Sequence, residues 1–208
     1  MTNRHIRKDL SEIYDKYAQE REESEAYDWK VTERSEFLDM LRKENKRTLL
    51  EIGSGHGRDS LFFQKQGLET VSIDLSPAMV ELCRKKRLDA RVMDVTDLDF
   101  PPESFDAVFT LNSLLHIPKE ELPGVLQNIN AVLKPKGLFY FGVYGGNDFQ
   151  GIMENDNYEP KRFFSYYTDD HLKRIINEVF DIIEFKIVNL EFTTEFHYQS
   201  VYLRKRPK

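Results

Sequence analysis

Short apolar runs alternate with amphipathic segments from Thr48 onward. Apolar runs bounded by turn residues indicate buried strands, and apolar positions at helical spacing indicate helices. Five strands are predicted, in "RTLLEI", "ETVSIDL", "ARVMD", "FDAVFTLNSLLHI" and "LFYFGVYG". The helices between them are "RDSLFFQKQG", "SPAMVELCRKKR" and "PKEELPGVLQNINAVLKPKG". This alternation predicts right-handed crossovers, and therefore an α/β fold with a mainly parallel sheet and helices on both faces.

The pattern changes after the fifth strand. Residues 144–167 have no clear period and are rich in aromatic and turn residues. A helix with Thr168 at its N-cap follows, and two β-rich runs, "DIIEFKIVNLEF" and "FHYQSVYLRK", end the sequence. No helix separates these runs, so we expect them to pair antiparallel. The sequence pattern over residues 1–47 predicts helices. We predict that they form a helical cap within the same domain as residues 48–208, with 144–167 as an insertion.

Composition narrows the class of protein. The 208 residues suffice for one domain with a sizeable core, and no apolar run approaches the roughly 20 residues that span a bilayer. The polar N-terminus does not resemble a signal peptide, so we expect a cytoplasmic protein without a membrane partner. The single cysteine, Cys83, excludes an internal disulfide and any multi-cysteine metal site, and five scattered histidines predict no metal site.

The charge balance argues against a large nucleic-acid-binding face. The net charge is −6, whereas phosphate-driven binding needs a strongly basic surface. Basic clusters occur at 42–47, at 84–87 and at 204–208. Charge runs of this kind are usually solvated helix ends and tails. They still leave RNA binding open as an alternative.

Three glycines follow the first strand in "LLEIGSGHGRDS". A phosphate-binding Walker loop needs a lysine after its last glycine, and none is present. A dinucleotide loop needs G-x-G-x-x-G, whereas Gly53, Gly55 and Gly57 give G-x-G-x-G. Asp74 ends the second strand and can accept hydrogen bonds from both hydroxyls of a ribose. Asp94, after the third strand, can accept from an adenine amine. These features predict a ligand that is an adenosine derivative without phosphates.

Four segments in this order resemble the class I S-adenosylmethionine (SAM)-dependent methyltransferases. They are "LLEIGSGHGRDS", "VSIDLSPAMVELC", "ARVMDVTDLDFPPESFDAVFTLNSLLHI" and "LKPKGLFYFGVYG". The resemblance covers residues 48–145 closely and the final strand pair in pattern only. It implies a Rossmann-like, doubly wound sheet of seven strands whose last strand is antiparallel, with SAM as the cofactor and S-adenosylhomocysteine (SAH) as the product.

The resemblance also implies the residues that would contact the cofactor. Gly53, Ser54, Gly55 and Gly57 would line its methionine portion, and Glu51 would reach the ammonium group. Asp74 would hold the ribose, Leu75 and Met79 would flank the adenosine, Asp94 and Val95 would address the adenine, and Leu111 would lie below the sulfonium.

Two further residues near the cofactor are predicted with alternatives. Arg58 opens the helix after the glycine loop, where a cation opposes the helix dipole. We therefore expect an acidic partner, either the cofactor carboxylate or an acid of the N-terminal helices, and the alternative is a solvent-facing side chain. An N-terminal aromatic residue often covers the methionine end in relatives. Tyr14 and Tyr17 are the candidates, and Tyr17 is preferred. The alternative is ordinary helix packing.

His116, just past the fourth strand, is the candidate catalytic residue. Its intrinsic pKa suits a general base that removes a proton from a hydroxyl or ammonium nucleophile. The alternative is a structural histidine, since "LLH" recurs in relatives with different substrates. Carbon methylation of pyrimidines needs a nucleophilic cysteine, and Cys83 lies within a predicted helix away from the strand edge. The methyl acceptor is therefore expected to be an oxygen or a nitrogen atom.

The insertion over 144–167 is expected to lie on the substrate side. Its aromatic residues would wall a substrate cavity, and an electron-rich wall suits a cationic reaction centre. The candidates are Tyr144, Phe149, Tyr158, Phe163 and Tyr167, together with Phe164 and Tyr166. The alternative is that these side chains pack a long loop onto the sheet edge.

The sequence thus predicts a monomeric or homodimeric methyltransferase that acts on a small-molecule metabolite. Two other functions stay open at this point. One is a tRNA methyltransferase acting on a modified base, for which the basic tail would help. The other is a non-catalytic subunit that binds SAM.

Overall fold

A computed structural model describes residues 3–207 of the chain. Its α-helices are α1 (Asn3–Lys16), α2 (Ala18–Glu23), α3 (Asp28–Lys43), α4 (Arg58–Lys65), α5 (Pro77–Lys85), α6 (Leu122–Val132) and α7 (Asp169–Asn177). Its strands are β1 (Thr48–Ile52), β2 (Glu69–Asp74), β3 (Asp89–Val92), β4 (Phe105–Leu111), β5 (Leu133–Gly145), β6 (Phe149–Ile152), β7 (Phe163–Tyr166), β8 (Phe180–Val188) and β9 (His197–Lys205). A 3₁₀ turn, Leu114–His116, follows β4.

Seven of these strands form one sheet in the order β3-β2-β1-β4-β5-β9-β8. The pairs among β1 to β5 are parallel, and β9 runs antiparallel to both of its neighbours, β5 and β8. The predicted Rossmann-like sheet with an antiparallel last strand is thereby confirmed. The strand order reverses between β1 and β4, and ligands of such sheets bind in the crevice beyond the carboxyl ends of the strands at this point.

Both faces of the sheet are covered, which explains the continuous apolar runs of its strands. Leu50, Val108 and Phe139 point into one core layer, where α6 and α7 pack. Their sequence neighbours Leu49, Phe109 and Tyr140 point to the opposite face and form a second layer with Phe37 of α3 and Phe63 of α4. Because successive side chains of a strand alternate in direction, each strand serves both layers.

The N-terminal helices are attached to the sheet and to α5. Glu33 of α3 is buried and accepts hydrogen bonds from Tyr140 (3.2 Å) and Tyr202 (2.9 Å) of the sheet. On α1, Asp15 accepts the Ala78 N–H at the start of α5 (2.9 Å), and the Ser11 hydroxyl donates to the Leu75 carbonyl (2.9 Å). These contacts hold α1 over the carboxyl ends of the first strands.

The structure departs from the predicted elements in two places. The insertion contains an antiparallel hairpin of β6 and β7, whose four-residue strands are too short to give a period in the sequence. The helix predicted to close at the Lys-Pro-Lys-Gly segment ends at Val132, and β5 begins at Leu133, before the predicted strand start at Leu138. Pro135 accounts for this, because a proline disfavours helical backbone in the residue before it. Within residues 3–207, no helix has the length and apolar character needed to cross a membrane.

Candidate active site

One cavity lies at the carboxyl ends of β1, β2 and β4 and is covered by residues of α1, α2 and α3. Most of the predicted cofactor residues line it. They are Glu51, Gly53, Ser54, Gly55, Arg58, Asp74, Leu75, Met79, Val95 and Leu111, and the candidate catalytic residue His116 lies on the same wall. Tyr17, Gly57 and Asp94 do not belong to this wall, and neither do the seven aromatic residues of the insertion that were expected to bind substrate.

The glycine loop is shaped by close approach and by positive φ angles. A Cβ on Gly53 would overlap the Ser113 side chain, so only glycine lets the ends of β1 and β4 meet here. At Gly55 a Cβ would meet nothing within 4 Å, so this part of the loop borders open space. Gly57 has a different role from the one predicted. With φ +80°, its Cβ would lie 2.6 Å from Leu88 and 2.7 Å from the Cys83 sulfur. Gly57 therefore lets the start of α4 pack closely against Cys83 of α5, and it does not line the cavity.

Asp74 is tied to the backbone around it. One carboxylate oxygen accepts the Gly55 N–H (2.8 Å) and the other accepts the Ser76 N–H (2.9 Å). Burial raises the pKa of the Asp74 carboxyl, and these hydrogen bonds work against that rise. A carboxylate has about four acceptor sites, so each oxygen keeps capacity for a ligand hydroxyl.

Asp94 is occupied by protein groups. It accepts the Thr96 N–H (2.9 Å) and forms an ion pair with Arg7 of α1 (2.9 Å). Arg7 also pairs with Glu121 (2.7 Å). The sequence could not indicate this triad, because Arg7 is far from Asp94 along the chain. Of the two residues expected to address the adenine, only Val95 borders the cavity.

Glu51 and Asp59 form the acidic side of the cavity. Glu51 accepts the Ser60 hydroxyl, and burial together with the nearby Asp59 raises its pKa well above the ordinary value. Asp59 pairs with Arg34 of α3 (2.8 Å). Arg58, for which we expected an acidic partner, donates to the backbone carbonyl of Ser24. A carbonyl oxygen does not neutralise the charge of Arg58, and no carboxylate among residues 3–207 pairs with it.

His116 is buried and both of its ring nitrogens have partners. Nδ1 lies 2.7 Å from the Phe163 carbonyl oxygen, which accepts only, so Nδ1 carries the proton. Nε2 then accepts the Tyr14 hydroxyl at 2.7 Å. Burial, reinforced by the charge of Arg162, lowers the pKa of His116 to about 3. The imidazole is therefore neutral at neutral pH, and it joins α1 to β7.

Tyr14, and not the preferred Tyr17, borders the cavity. Besides donating to His116, its hydroxyl accepts from Arg162 (3.0 Å). Tyr17 instead stacks on Tyr158 with ring centroids 4.4 Å apart. Tyr14 lies within α1, whereas Tyr17 follows the end of α1 at Lys16 and lies between α1 and α2.

The aromatic residues of the insertion pack against protein and do not wall the cavity. Phe163 is buried against Ile6 and Leu10 of α1. The others contact neighbouring side chains: Tyr144 meets Trp29 and Tyr198, Phe149 meets Tyr166, Tyr158 meets Tyr17 and Arg162, and Tyr167 meets His171 and Lys119. The alternative of ordinary packing describes these placements, although Tyr158 acts on the site indirectly by accepting a hydrogen bond from Arg21 (3.0 Å).

The sequence interpretation missed the basic side chains that cover the cavity. Arg7, Arg21, Lys30 and Arg34 lie on its wall and come from the three N-terminal helices. Burial, with the charge of Arg21 adding to it, lowers the pKa of Lys30 to about 8. Helices rich in charged residues are usually interpreted as solvent-exposed. The only sequence feature that could have indicated a basic cavity cover was the density of arginine and lysine before β1.

The cavity wall carries the groups that an adenosine derivative needs. Open space at Gly55 lies beside the Asp74 carboxylate, which suits a ribose, and the apolar Leu75, Met79 and Val95 suit a base. Within the described range, no group of three or more His, Cys, Asp or Glu side chains is arranged to hold a metal ion.

Several known proteins with similar sequences are methyltransferases. Residues 49–137 match the family model described as a methyltransferase domain. Glycine N-methyltransferase of Rattus norvegicus is 27% identical over 179 residues, covering 76% of this chain and 60% of that enzyme. Sterol 24-C-methyltransferase of Clavispora lusitaniae is 29% identical over 167 residues, covering 76% of this chain and 42% of that enzyme. The chain thus spans less than two thirds of each of these relatives.

A solved structure shares the whole fold. It is the 1,6-didemethyltoxoflavin-N1-methyltransferase of Burkholderia thailandensis, determined with bound 1,6-didemethyltoxoflavin and SAH. The TM-score is 0.77 at 19% sequence identity, covering 99% of this chain and 91% of that one. The matched segment over residues 49–137 contains the glycine loop, Asp74 and His116. Residues 49–137 therefore match a methyltransferase domain, within a fold that resembles that of a methyltransferase with bound SAH.

Proposed function

We propose that this chain transfers a methyl group from SAM to a nitrogen or oxygen atom of a small polar molecule. The observation that carries the proposal is the cavity that joins the Gly53–Gly55 loop and Asp74 beneath the N-terminal helices. Its cationic side chains favour a polar acceptor, since a sterol-like molecule would leave them buried without partners. The net charge of −6 disfavours RNA as the acceptor. The names of the rat and Burkholderia enzymes, which specify nitrogen methylation, agree with this choice.

Different residues on the cavity wall would contact different parts of the cofactor. Gly53, Ser54 and Gly55 would hold its methionine portion, with Glu51 beneath the loop. Asp74 would bind the ribose hydroxyls. Apolar contacts to the adenosine and the sulfonium would come from the remaining wall residues Leu75, Met79, Val95 and Leu111. Bound SAM supplies the methyl group, which is attached to a positively charged sulfur.

The protein itself contributes alignment and exclusion of water. In a displacement of this kind, holding the acceptor atom in line with the methyl group accounts for much of the rate. The covering helices shield the cavity from solvent, which strengthens electrostatic interactions inside it. Loss of the acceptor proton needs no buried base when the acceptor amine is already neutral on binding.

His116 is best described as a positioning residue. Both of its nitrogens are engaged and its pKa is lowered to about 3, so removal of a proton by Nε2 would first require Tyr14 to leave. Its role in this proposal is to hold the Tyr14 hydroxyl at the cavity wall. His116→Asn and Tyr14→Phe should then raise KM for the acceptor to a similar degree, with an unchanged shape of the pH–rate profile. Loss of one ionisation from that profile in His116→Asn alone would assign the general base to His116.

The experiment that tests the proposed function is a methyl-transfer screen with methyl-labelled SAM. Cell extract is incubated with the protein and separated into RNA, lipid-soluble and small polar fractions. Label in the polar fraction is expected, and Asp74→Asn should reduce it when SAM is limiting. Label in RNA would favour the tRNA methyltransferase, and label in lipids a carbon methyltransferase. SAM binding without transfer to any fraction would favour the non-catalytic subunit.

A further inference from the structure

Three cations on the cavity wall lack a carboxylate partner among residues 3–207. Arg7 and Arg34 are paired, with Asp94 and Glu121 and with Asp59 respectively. By contrast, Arg21, Lys30 and Arg58 have no acid within ion-pair distance in the described part of the chain. A partly buried charge without a partner is unfavourable, so these side chains indicate that the bound state supplies anions.

The cofactor accounts for only one of these cations. SAM carries a single carboxylate, together with an ammonium and a sulfonium group, so its binding adds net positive charge to the cavity. Arg58 follows the glycine loop directly and therefore belongs to the end of the cavity where the methionine portion is expected. Lys30 of α3 feels the charge of Arg21 first, and the charges of Asp59 and Arg58 after it, so it lies within reach of both arginines.

Arg21 has a different environment. Its guanidinium lies 5.3 Å from the ring centroid of Tyr14, whose hydroxyl is bonded to His116 at the end of β4. One guanidinium N–H donates to the Tyr158 hydroxyl (3.0 Å), which carries no charge. The Nε atom is buried and has no hydrogen-bond partner in the described range.

Arg162, which contacts the same Tyr14 ring as Arg21, is already neutralised. Arg162 binds Asp156 through two of its nitrogens, at 2.6 Å and 2.9 Å, and donates to Tyr14 with a third. Asp156 is therefore occupied, and it leaves the charge of Arg21 uncompensated. A planar guanidinium with free donors matches the two oxygens of a carboxylate.

We infer that the methyl acceptor carries a small oxyanion, most simply a carboxylate, and that Arg21 binds it on the Tyr14 and His116 side of the cavity. This inference rests on the proposed function and narrows its substrate class. Tyr158 fixes the guanidinium, and Tyr14 provides the ring beneath it. The insertion thus contributes to specificity by holding Arg21 in position.

The test uses small anions as probes of the SAH-saturated protein. Line broadening of the acetate methyl signal in NMR measures binding, with potassium chloride holding the ionic strength constant. Acetamide has the same shape without the charge, and inorganic phosphate represents the other common oxyanion. Acetate is expected to bind at least about tenfold more tightly than acetamide, as a charge-assisted hydrogen bond predicts. Tighter binding of phosphate than of acetate would still support an oxyanion site at Arg21, and it would identify phosphate as the preferred group.

Variants separate this site from the cofactor site. Arg21→Met should weaken acetate binding about tenfold or more, while the Kd for SAH changes less than about threefold. Arg21→Lys, which keeps the charge, should retain part of the affinity and guards against a folding defect. The matched control is Arg42→Met, which removes the same charge from an exposed part of α3 that bonds Gln66.

Three results would overturn the inference. They are equal binding of acetate and acetamide, competition between acetate and SAH, and an equal loss of acetate and SAH affinity in Arg21→Met. The last two would assign Arg21 to the cofactor carboxylate. Failure of the wild-type protein to bind SAH would be a different result, because it would contradict the proposed function itself.

Discussion

At the residue scale, Asp74 has two roles. Its oxygens fix the backbone of the glycine loop and of the turn before α5, and they face the cavity where a ribose is proposed to bind. A carboxylate is suited to both, because it accepts several hydrogen bonds and donates none while ionised.

Asp74→Asn should therefore reduce cofactor affinity while the protein stays folded. Losing charge-assisted hydrogen bonds worth about 1.5–3 kcal/mol predicts a Kd for SAH about 10- to 100-fold higher. Isothermal titration calorimetry measures the change. The exposed Asp97, changed to Asn, is the control and should bind SAH like the wild type. Undiminished affinity of Asp74→Asn would remove Asp74 from the site.

Two glycines show how local surroundings set the effect of one methyl group. Gly57 has φ +80° and lies against Leu88 and Cys83, whereas Gly124 of α6 faces open space. We predict that Gly57→Ala lowers the free energy of unfolding by about 1–3 kcal/mol through strain and overpacking. Gly124→Ala should raise it by about 0.5–1 kcal/mol through helix propensity. Denaturant unfolding compares them, and effects of equal sign would contradict the packing at Gly57.

At the scale of elements, His116 connects the covering helix to the insertion. The hydrogen bonds of its two nitrogens join Tyr14 of α1 to Phe163 of β7. A proton taken up at Nε2 removes the acceptor of the Tyr14 hydroxyl, whereas Nδ1 still donates to Phe163. The link from β7 to α1 therefore depends on a neutral imidazole.

This dependence predicts acid sensitivity. The folded-state pKa of about 3 lies below the unfolded value of about 6.5, so below that value the unfolded chain binds more protons. The stability due to neutral His116 is fully present above pH 6.5 and is lost as the pH falls toward 3, at up to about 1.4 kcal/mol per pH unit. His116→Asn should flatten this slope in urea unfolding between pH 7.5 and 4.5. Parallel slopes would show that His116 keeps an ordinary pKa.

At the scale of the whole molecule, the cofactor is expected to join three parts of the chain. The cavity wall is shared by the N-terminal helices, the first two strands with their loops, and the end of β4. A ligand that touches all three binds only the folded state, so its binding energy adds to the stability of the fold.

SAH at about 100 times its Kd should add about 2.7 kcal/mol to the free energy of unfolding. For a chain of this size we expect Tm to rise by about 5–10 °C. Differential scanning calorimetry measures the shift. NAD, an adenosine ligand with a pyrophosphate, is the matched control and should produce none, because the loop lacks the dinucleotide spacing. A shift with NAD equal to that with SAH would refute a site built for an adenosyl sulfonium.

The sequence by itself determined the sheet and the cofactor loop. Both follow from local rules: apolar runs with turn residues give strands, and the short spacing of Gly53, Gly55 and Gly57 excludes a phosphate loop. The matching of residues 49–137 to a methyltransferase domain agrees with that interpretation. Information of this kind lies within a few residues of where it acts, so no tertiary contact is needed to read it.

The cover of the cavity was decided only by the tertiary structure. Whether Tyr14 or Tyr17 faces the cavity, which partner Asp94 finds, and where Tyr158 packs all depend on pairs more than 60 residues apart. The charged faces of the N-terminal helices have no apolar pattern that specifies where these helices dock. Contacts between residues distant along the chain cannot be seen in a single sequence. Arg21, with its unpaired charge, became visible only when the fold brought α2, the insertion and the end of β4 together.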